Sequence, residues 1–433
     1  MRLVDLREQR LHSALVNTSV PRAALDISMA IEQIKPLIED IRRKGAAAII
    51  EVGKKFDGFD PSPLRVAQAE LDAALEQLDA PLRESIEESI QRVRAVSIAT
   101  MPEPASIKLA EGASVHQRWQ PVDSVGLYVP GGKAVYPSSV IMNVVPAQTA
   151  GVPRLAIATP AQAAFGGRPH PVVLATAKLL GVSEVYAIGG PAAVAAFAYG
   201  VPEIALEPTM LVTGPGNIFV AAAKRALRGV IGIDSEAGTT EILILADAKA
   251  DARLIAFDLV SQAEHDEAAA CVLVTDSASL IEDVEQWVAK IAEQTEHANR
   301  VTQALGAVQS ALVLVDDLDA AIDFANHYAT EHLEIHTEDP QSTMGRITNA
   351  GAIFLGKYSP VSLGDYMAGS NHVLPTGQQA KFGAGLGVHT FLRAQQVIDY
   401  GEQGLAEIAS KVTEFANSEG LPAHGEAITA RFE

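Results

Sequence analysis

The chain has 433 residues, more than one hydrophobic core accommodates, so two or more folded units are expected. Hydrophobic residues make up 48% and aromatic residues only 5%, which excludes a disordered chain and suits an Ala-, Val-, Ile- and Leu-rich α/β enzyme. The net charge of −20 argues against nucleic acid and anionic membrane as partners, and one cysteine excludes both an intrachain disulfide framework and a cysteine-cage zinc site.

The N-terminus lacks the apolar run of a signal peptide, and no stretch approaches the roughly 20 apolar residues of a membrane span, so a cytoplasmic enzyme is expected. Residues 1–25 read as a polar arm. From 27 to 52 apolar residues recur at helical spacing (Ile31, Ile34, Leu37, Ile38, Ile41), and 56–60 reads as a turn. Helices follow at 67–78 and 80–97.

The texture changes near Pro121. A compact strand at 125–129 is broken at 130–133, and Ser138 and Ser139 are placed to cap the next helix. Strands at 155–159, 185–188 and 204–207 alternate with helices at 171–180, 192–199 and 218–227. This pace predicts βαβ units and a parallel sheet over 126–240, a nucleotide-binding-like unit. A second alternating unit has strands at 241–245, 270–275, 311–315, 333–336 and 352–355, with helices at 251–265, 278–294 and 318–329. Ligands of two such units bind in the cleft between them. The segment 358–387 is a Gly-, Ser-, Pro- and Asn-rich loop, long enough to suggest a function. The stretch 390–433 reads as helical over 397–412 with a polar tail.

Four stretches carry possible chemistry. In Ser261-Gln-Ala-Glu-His-Asp266, Gln262 and His265 are three apart and share a helix face, where an amide oxygen and an imidazole can grip a cation. Alone the pair also reads as a polar helix end. Glu331-His332 offers two bases of different strength where a helix meets a strand. Asp365 and His372 lie in the long loop and His424 near the end; a mixed N/O shell of these types suits zinc or manganese, but spacing does not show that they meet. Gly131-Gly132 and Gly214-Pro-Gly216 sit between strand and helix, where phosphate binds, yet neither matches G-x-G-x-x-G. Cys271, in an apolar strand pattern with no adjacent base, reads as core rather than nucleophile.

Taken together these residues resemble the L-histidinol dehydrogenase family. The matching stretches are Val125-Gly-Leu-Tyr-Val-Pro-Gly-Gly132, Tyr136-Pro-Ser-Ser139, Thr213-Gly-Pro-Gly-Asn217, Ile233-Asp-Ser-Glu-Ala-Gly238, Ser261–Asp266, Glu331-His-Leu333, Ser362-Leu-Gly-Asp-Tyr366, Asn371-His-Val-Leu-Pro-Thr376 and Leu421-Pro-Ala-His424, in order through almost the whole chain. The resemblance implies two doubly wound Rossmann-like, aldehyde-dehydrogenase-like α/β domains with small N- and C-terminal helical segments. The expected division is an arm (1–25), a first domain (26–125 with 241–387), a cofactor domain (126–240) and a dimerisation segment (388–433).

It implies oxidation of L-histidinol to L-histidine with two NAD and one zinc per subunit, manganese being a possible substitute. Zinc would be held by Gln262, His265, Asp365 and His424. Glu331 and His332 would be the catalytic bases. Thr240, Gln262, His265, His332, Asp365, Glu419 and His424 would line the substrate pocket, and Tyr128 and Asn217 would touch NAD. Family members are domain-swapped homodimers, so Glu419 and His424 would complete the partner's site. Two departures are visible: Ala192 stands where the family usually has a cofactor-contacting glutamine, and Thr240 replaces a serine while keeping its hydroxyl. A paralogous zinc- and NAD-dependent dehydrogenase of another small polar alcohol is the alternative reading.

Overall fold

The computed structural model describes residues 1–23, 27–56, 58–131, 135–236 and 238–433. The end of the expected arm, the turn at 56–60, the break at 130–133 with its Gly131-Gly132 pair, and the 233–238 stretch each include residues outside that set, namely Ala24 and Leu25, Asp57, Gly132 and Lys133, and Ala237. Strands are numbered in chain order: β1 (Arg2–Asp5), β2 (Ala105–Ala110), β3 (Ala113–Pro121), β4 (Ser124–Tyr128), β5 (Arg154–Thr159), β6 (Glu184–Ala187), β7 (Leu211–Thr213), β8 (Gly232–Ile233), β9 (Glu241–Ala246), β10 (Ala270–Thr275), β11 (Ala311–Leu314), β12 (His332–His336), β13 (Ala352–Leu355) and β14 (Leu392–Tyr400).

Two parallel sheets organise the chain. One has the order β6-β5-β4-β7-β8 and the other β1-β11-β10-β9-β12-β13. Apart from the added edge strand β1, both follow the same doubly wound course, with the first strand of the unit central and the order reversing beside it. Period-2 alternation sends successive side chains to opposite faces, and helices cover both. In the first sheet Val125, Leu127 and Ile157 pack one way, and Tyr128, Ala158 and Val212 the other. In the second, Ile242, Ile244 and Leu273 oppose Leu243, Leu245 and Val274.

Several expectations change. Residues 26–125 are expected with the unit of 241–387, but helix Ile27–Lys44 buries Ile34, Ile38 and Ile41 in one cluster with Tyr128 and Val212 of the first sheet and Phe197 of the helix Gly190–Tyr199 that covers it. Its amphipathic stripe matched either sheet, and contact shape chose. The arm contributes a real strand, β1 pairing with β11 from Arg2↔Ala311 to Asp5↔Leu314. The strand expected at 204–207 is a tight turn with a short helix at Pro202–Ile204 and a left-handed Ala205, and the sheet takes Leu211–Thr213 instead. Val397 lies in a strand, not a helix: β14 pairs antiparallel with β3 from Leu392↔Pro121 to Tyr400↔Ala113, and β2 completes a three-stranded sheet. Helices Glu402–Ser418 and Pro422–Thr429 end the chain. No helix among the described residues is long and apolar enough to cross a membrane.

Candidate active site

The site forms where the second sheet's central strands begin. Helix Ala252–Ala263 is capped by Asp251, whose carboxylate accepts from Arg253 N and Leu254 N, and runs back to the amino ends of the strands. Its last turn delivers Gln262, and His265 follows. Thr240 precedes β9 and Glu331 precedes β12; these strands are neighbours, with His332 opposite Ile242. Residues separated by about 90 positions in sequence are therefore brought side by side by one strand pairing.

A hydrogen-bonded chain results. Gln262 Nε2 donates to Thr240 Oγ1 (2.7 Å), and Thr240 Oγ1 donates to Glu331 Oε2 (2.6 Å), which also accepts from Glu241 N (3.0 Å). The Thr240 hydroxyl is thus the link between the Gln262 amide and the Glu331 carboxylate. With Nε2 committed, Gln262 Oε1 is buried without a partner among the described residues, an arrangement that costs free energy unless something electropositive meets it. His265 Nε2 and Asp365 Oδ2 stand 3.9 Å apart, a separation that two donors about 2.0–2.2 Å from one ion can span. Asp365 rides on helix Val361–Tyr366, which approaches Phe354 closely because residue 364 is glycine; a Cβ there would sit 2.7 Å from the ring.

His372 has a different role from the one considered for it. Its Nδ1 donates to the Asp365 carbonyl (3.1 Å), which leaves Nε2 to accept from Ser139 Oγ (3.1 Å). Both ring nitrogens are used, so it orients the Asp365 segment and ties it to the first sheet's helix Pro137–Thr149.

The two bases are buried. Burial pushes the Glu331 carboxyl up to about 7, against the lowering effect of its bonds to Thr240 and Glu241. Burial likewise lowers the His332 imidazole, keeping it neutral. His332 Nδ1 lies 3.2 Å from the Glu241 carbonyl, which can only accept, so Nδ1 carries the hydrogen and Nε2 presents the lone pair.

Toward the other end of β12 lies a group that sequence reasoning missed. Asp258, Glu334 and His336 place donor atoms within 4.8 Å of one another. Glu334 accepts from Val361 N (2.8 Å), anchoring the start of the helix that carries Asp365, and its other oxygen is 3.1 Å from His336 Nε2. Burial first, then the neighbouring Glu334, pushes the Asp258 carboxyl up to about 8. A period-2 reading of His332, Glu334 and His336 shows one polar face of β12, but not its partner on the helix.

At the carboxyl end of the first sheet, Gly214 follows β7 with φ +113°, and a Cβ there would lie 2.0 Å from the Tyr128 carbonyl, so only glycine closes the central strands here. Tyr128 OH accepts from Gly190 N (3.0 Å), and Asn217 caps helix Ile218–Leu227 through Phe219 N and Val220 N. A buried Lys224–Asp234 pair, which the sequence did not suggest, ties Gly214 to the same helix. Ala192 is 2% exposed in helix Gly190–Tyr199 and has no polar group to offer a cofactor. Cys271 is fully buried with its thiol pushed up to about 12 by burial, which is the behaviour of a core residue.

The structure therefore gathers Thr240, Gln262, His265, Glu331, His332 and Asp365. Glu419 and His424 are exposed at the junction of the two C-terminal helices, and among the described residues neither side chain bonds to that cluster.

The family model described as histidinol dehydrogenase matches residues 20–432. The chain belongs to the histidinol dehydrogenase family. It is 54% identical over 433 residues to the histidinol dehydrogenase of Leifsonia xyli subsp. xyli, covering 100% of this chain and 99% of that one. It is 55% identical over 428 residues to that of Thermobifida fusca, covering 99% and 97%. The crystal structure of histidinol dehydrogenase from Elizabethkingia anophelis superposes with a TM-score of 0.92 at 29% identity, covering 99% of this chain and 98% of that one. An NAD-dependent aldehyde dehydrogenase from Sinorhizobium meliloti matches at TM-score 0.51 and 13% identity over 92% and 91%, a likeness of fold alone. The two doubly wound sheets read from sequence are thus those of the histidinol dehydrogenase family.

Proposed function

We propose that this chain is an NAD-dependent dehydrogenase of histidine biosynthesis that oxidises L-histidinol to L-histidine through the aldehyde. One alcohol, one water and two NAD+ give one carboxylate, two NADH and three protons. Family membership supports the reaction, and the Gln262–Thr240–Glu331 chain supports the assignment of roles.

A zinc ion suits the donor set of Gln262, His265 and Asp365, because the buried Gln262 Oε1 has no other partner among the described residues. Manganese is an acceptable substitute for such N/O donors. When bound, such a metal would supply a fixed positive centre for the nitrogen donors of the substrate. His424 of the partner subunit would be the fourth ligand, with Glu419 of the partner subunit lining the pocket. Exposed Ile398 (72%), Phe415 (69%) and Leu421 (42%) on the C-terminal elements support association of two copies.

The chain's own groups carry the protons. His332 Nε2 takes the alcohol proton as the first hydride leaves. Glu331 accepts a proton from the water that attacks the aldehyde, and its carboxyl at about 7 is matched to that task near neutrality. His332 then takes the hydrate's proton as the second hydride leaves. Tyr128 and Asn217, at the carboxyl end of the first sheet, are the proposed NAD contacts, and the cytoplasm is the proposed compartment.

The deciding measurement is NADH formed per histidinol consumed, before and after chelation. Two per substrate with loss on chelation is expected. One per substrate would remove the four-electron reading, and full activity after chelation would remove the metal.

A further inference from the structure

Arg22 comes from the end of the N-terminal arm, far in sequence from either base, yet its guanidinium is held beneath them. Arg22 Nε donates to Glu241 Oε2 (2.6 Å), and Nη2 donates to the Tyr328 carbonyl (2.5 Å) and reaches the Ala329 carbonyl (3.5 Å). The guanidinium carbon also sits 4.1 Å from the centre of the Tyr328 ring. The side chains of Arg22 and Glu241 are 17% and 2% exposed, so the pair is shielded from water and salt.

Each contact bears on Glu331. Ala329 has φ +51°, a left-handed turn that a non-glycine residue adopts only when its surroundings hold it. That turn sets the exit direction of Thr330-Glu331, and Arg22 grips its two carbonyls. Glu241 N donates to Glu331 Oε2, while the Glu241 carboxylate is fixed by Arg22 on one oxygen and by Gly377 N on the other (2.7 Å). One cation therefore joins the turn before Glu331, the residue that bonds its carboxylate, and the loop behind both. His332 is held differently: its backbone pairs on both sides with Ile242 and Ala352, and its ring bonds the Glu241 main-chain carbonyl rather than the carboxylate that Arg22 grips.

We infer that Arg22 is a positioning residue for Glu331, acting through Glu241 and the 328–329 turn. A buried ion pair adds little net stability in general, so its geometry, not its energy, is its contribution here. The inference rests on Glu331 being the base for water attack. A carboxylate displaced by a fraction of an ångström loses rate in the step that uses it, and alcohol oxidation, which uses His332 without Glu331, is spared.

The test compares oxidation of histidinol with oxidation of histidinaldehyde in the intact enzyme. R22Q is expected to slow aldehyde oxidation about tenfold more than alcohol oxidation, with unchanged metal content and histidinol KM. R22K, which keeps the charge but not the fork of donors, is expected to recover part of the loss. Equal slowing of both half-reactions, or slowing of neither, overturns the inference. E331Q in the same assay separates the two readings. Selective loss in E331Q without selective loss in R22Q rejects Arg22 alone, whereas no selective loss in E331Q removes the base itself. If R22Q does not fold, R22K decides by the same ratio of half-reactions.

Discussion

The two parallel sheets share a winding but not a working end. In the first, the crevice lies at the carboxyl ends of β4 and β7, where Tyr128, Gly214 and Asn217 gather, as expected of an open α/β sheet. In the second, Thr240, Glu331 and His332 stand at the amino ends of β9 and β12. The His372–Ser139 bond joins one end to the other. Side-chain choice follows the division. Beyond the Arg154–Glu184 pair at the starts of β5 and β6, the strands of the first sheet are apolar, aromatic or small on both faces, whereas β12 presents His332, Glu334 and His336 on one face and only Leu333 and Ile335 on the other. A repeated topology thus presents two differently furnished sheet ends, and on the proposed reading the residues at each decide which receives cofactor and which performs proton transfer.

The sharpest way to break this division is at Glu331. E331Q keeps the shape but cannot accept a proton, and aldehyde oxidation is expected to fall about 10²–10⁴-fold, far more than alcohol oxidation. Equal losses in both half-reactions would show that Glu331 does not act on water. Next in size is subunit complementation. H332A and H424A homodimers should each be nearly inactive, and after random exchange about a quarter of the wild-type sites should be intact in a two-fold dimer. No recovery despite confirmed exchange would place each site within one chain.

The cofactor crevice should respond in another parameter. N217A removes a helix cap that accepts from Phe219 N and Val220 N, as well as the proposed NAD contact. A rise in the NAD KM of about tenfold is expected, one lost hydrogen bond to a bound ligand, with a smaller change in kcat. A fall in kcat alone would contradict the assignment of this end.

The smallest effect is on pH dependence. Because burial holds Glu331 up to about 7, its base form grows as pH rises, so the acid limb of aldehyde oxidation should have its midpoint near pH 7. The same shift has a stability sign. A carboxyl raised from 4.5 to about 7 on folding favours the fold fully below pH 4.5 and loses that contribution as pH rises through about 7. Melting profiles of wild type and E331Q should therefore diverge between these values, and parallel profiles would indicate an unshifted carboxyl.

Much of this was legible in the chain itself. Alternating apolar runs mark β4, β5, β9, β10 and β11 because a strand covered on both faces is apolar throughout. The ordered stretches from Val125 to His424 carry the family resemblance and include Gln262, His265, Glu331, His332 and Asp365, which the structure brings together. Tertiary structure decided what local pattern leaves open. The stripe of Ile34, Ile38 and Ile41 fits any apolar face, so its docking on the first sheet awaited the fold. Val397 has apolar neighbours compatible with helix or strand, and the long ladder with β3 settled it. Arg22 beside Glu241, and Asp258 beside Glu334, are pairs whose meaning lies wholly in long-range contact. Sequence period encodes which face of an element is buried, whereas the identity of the neighbour comes only from three-dimensional packing.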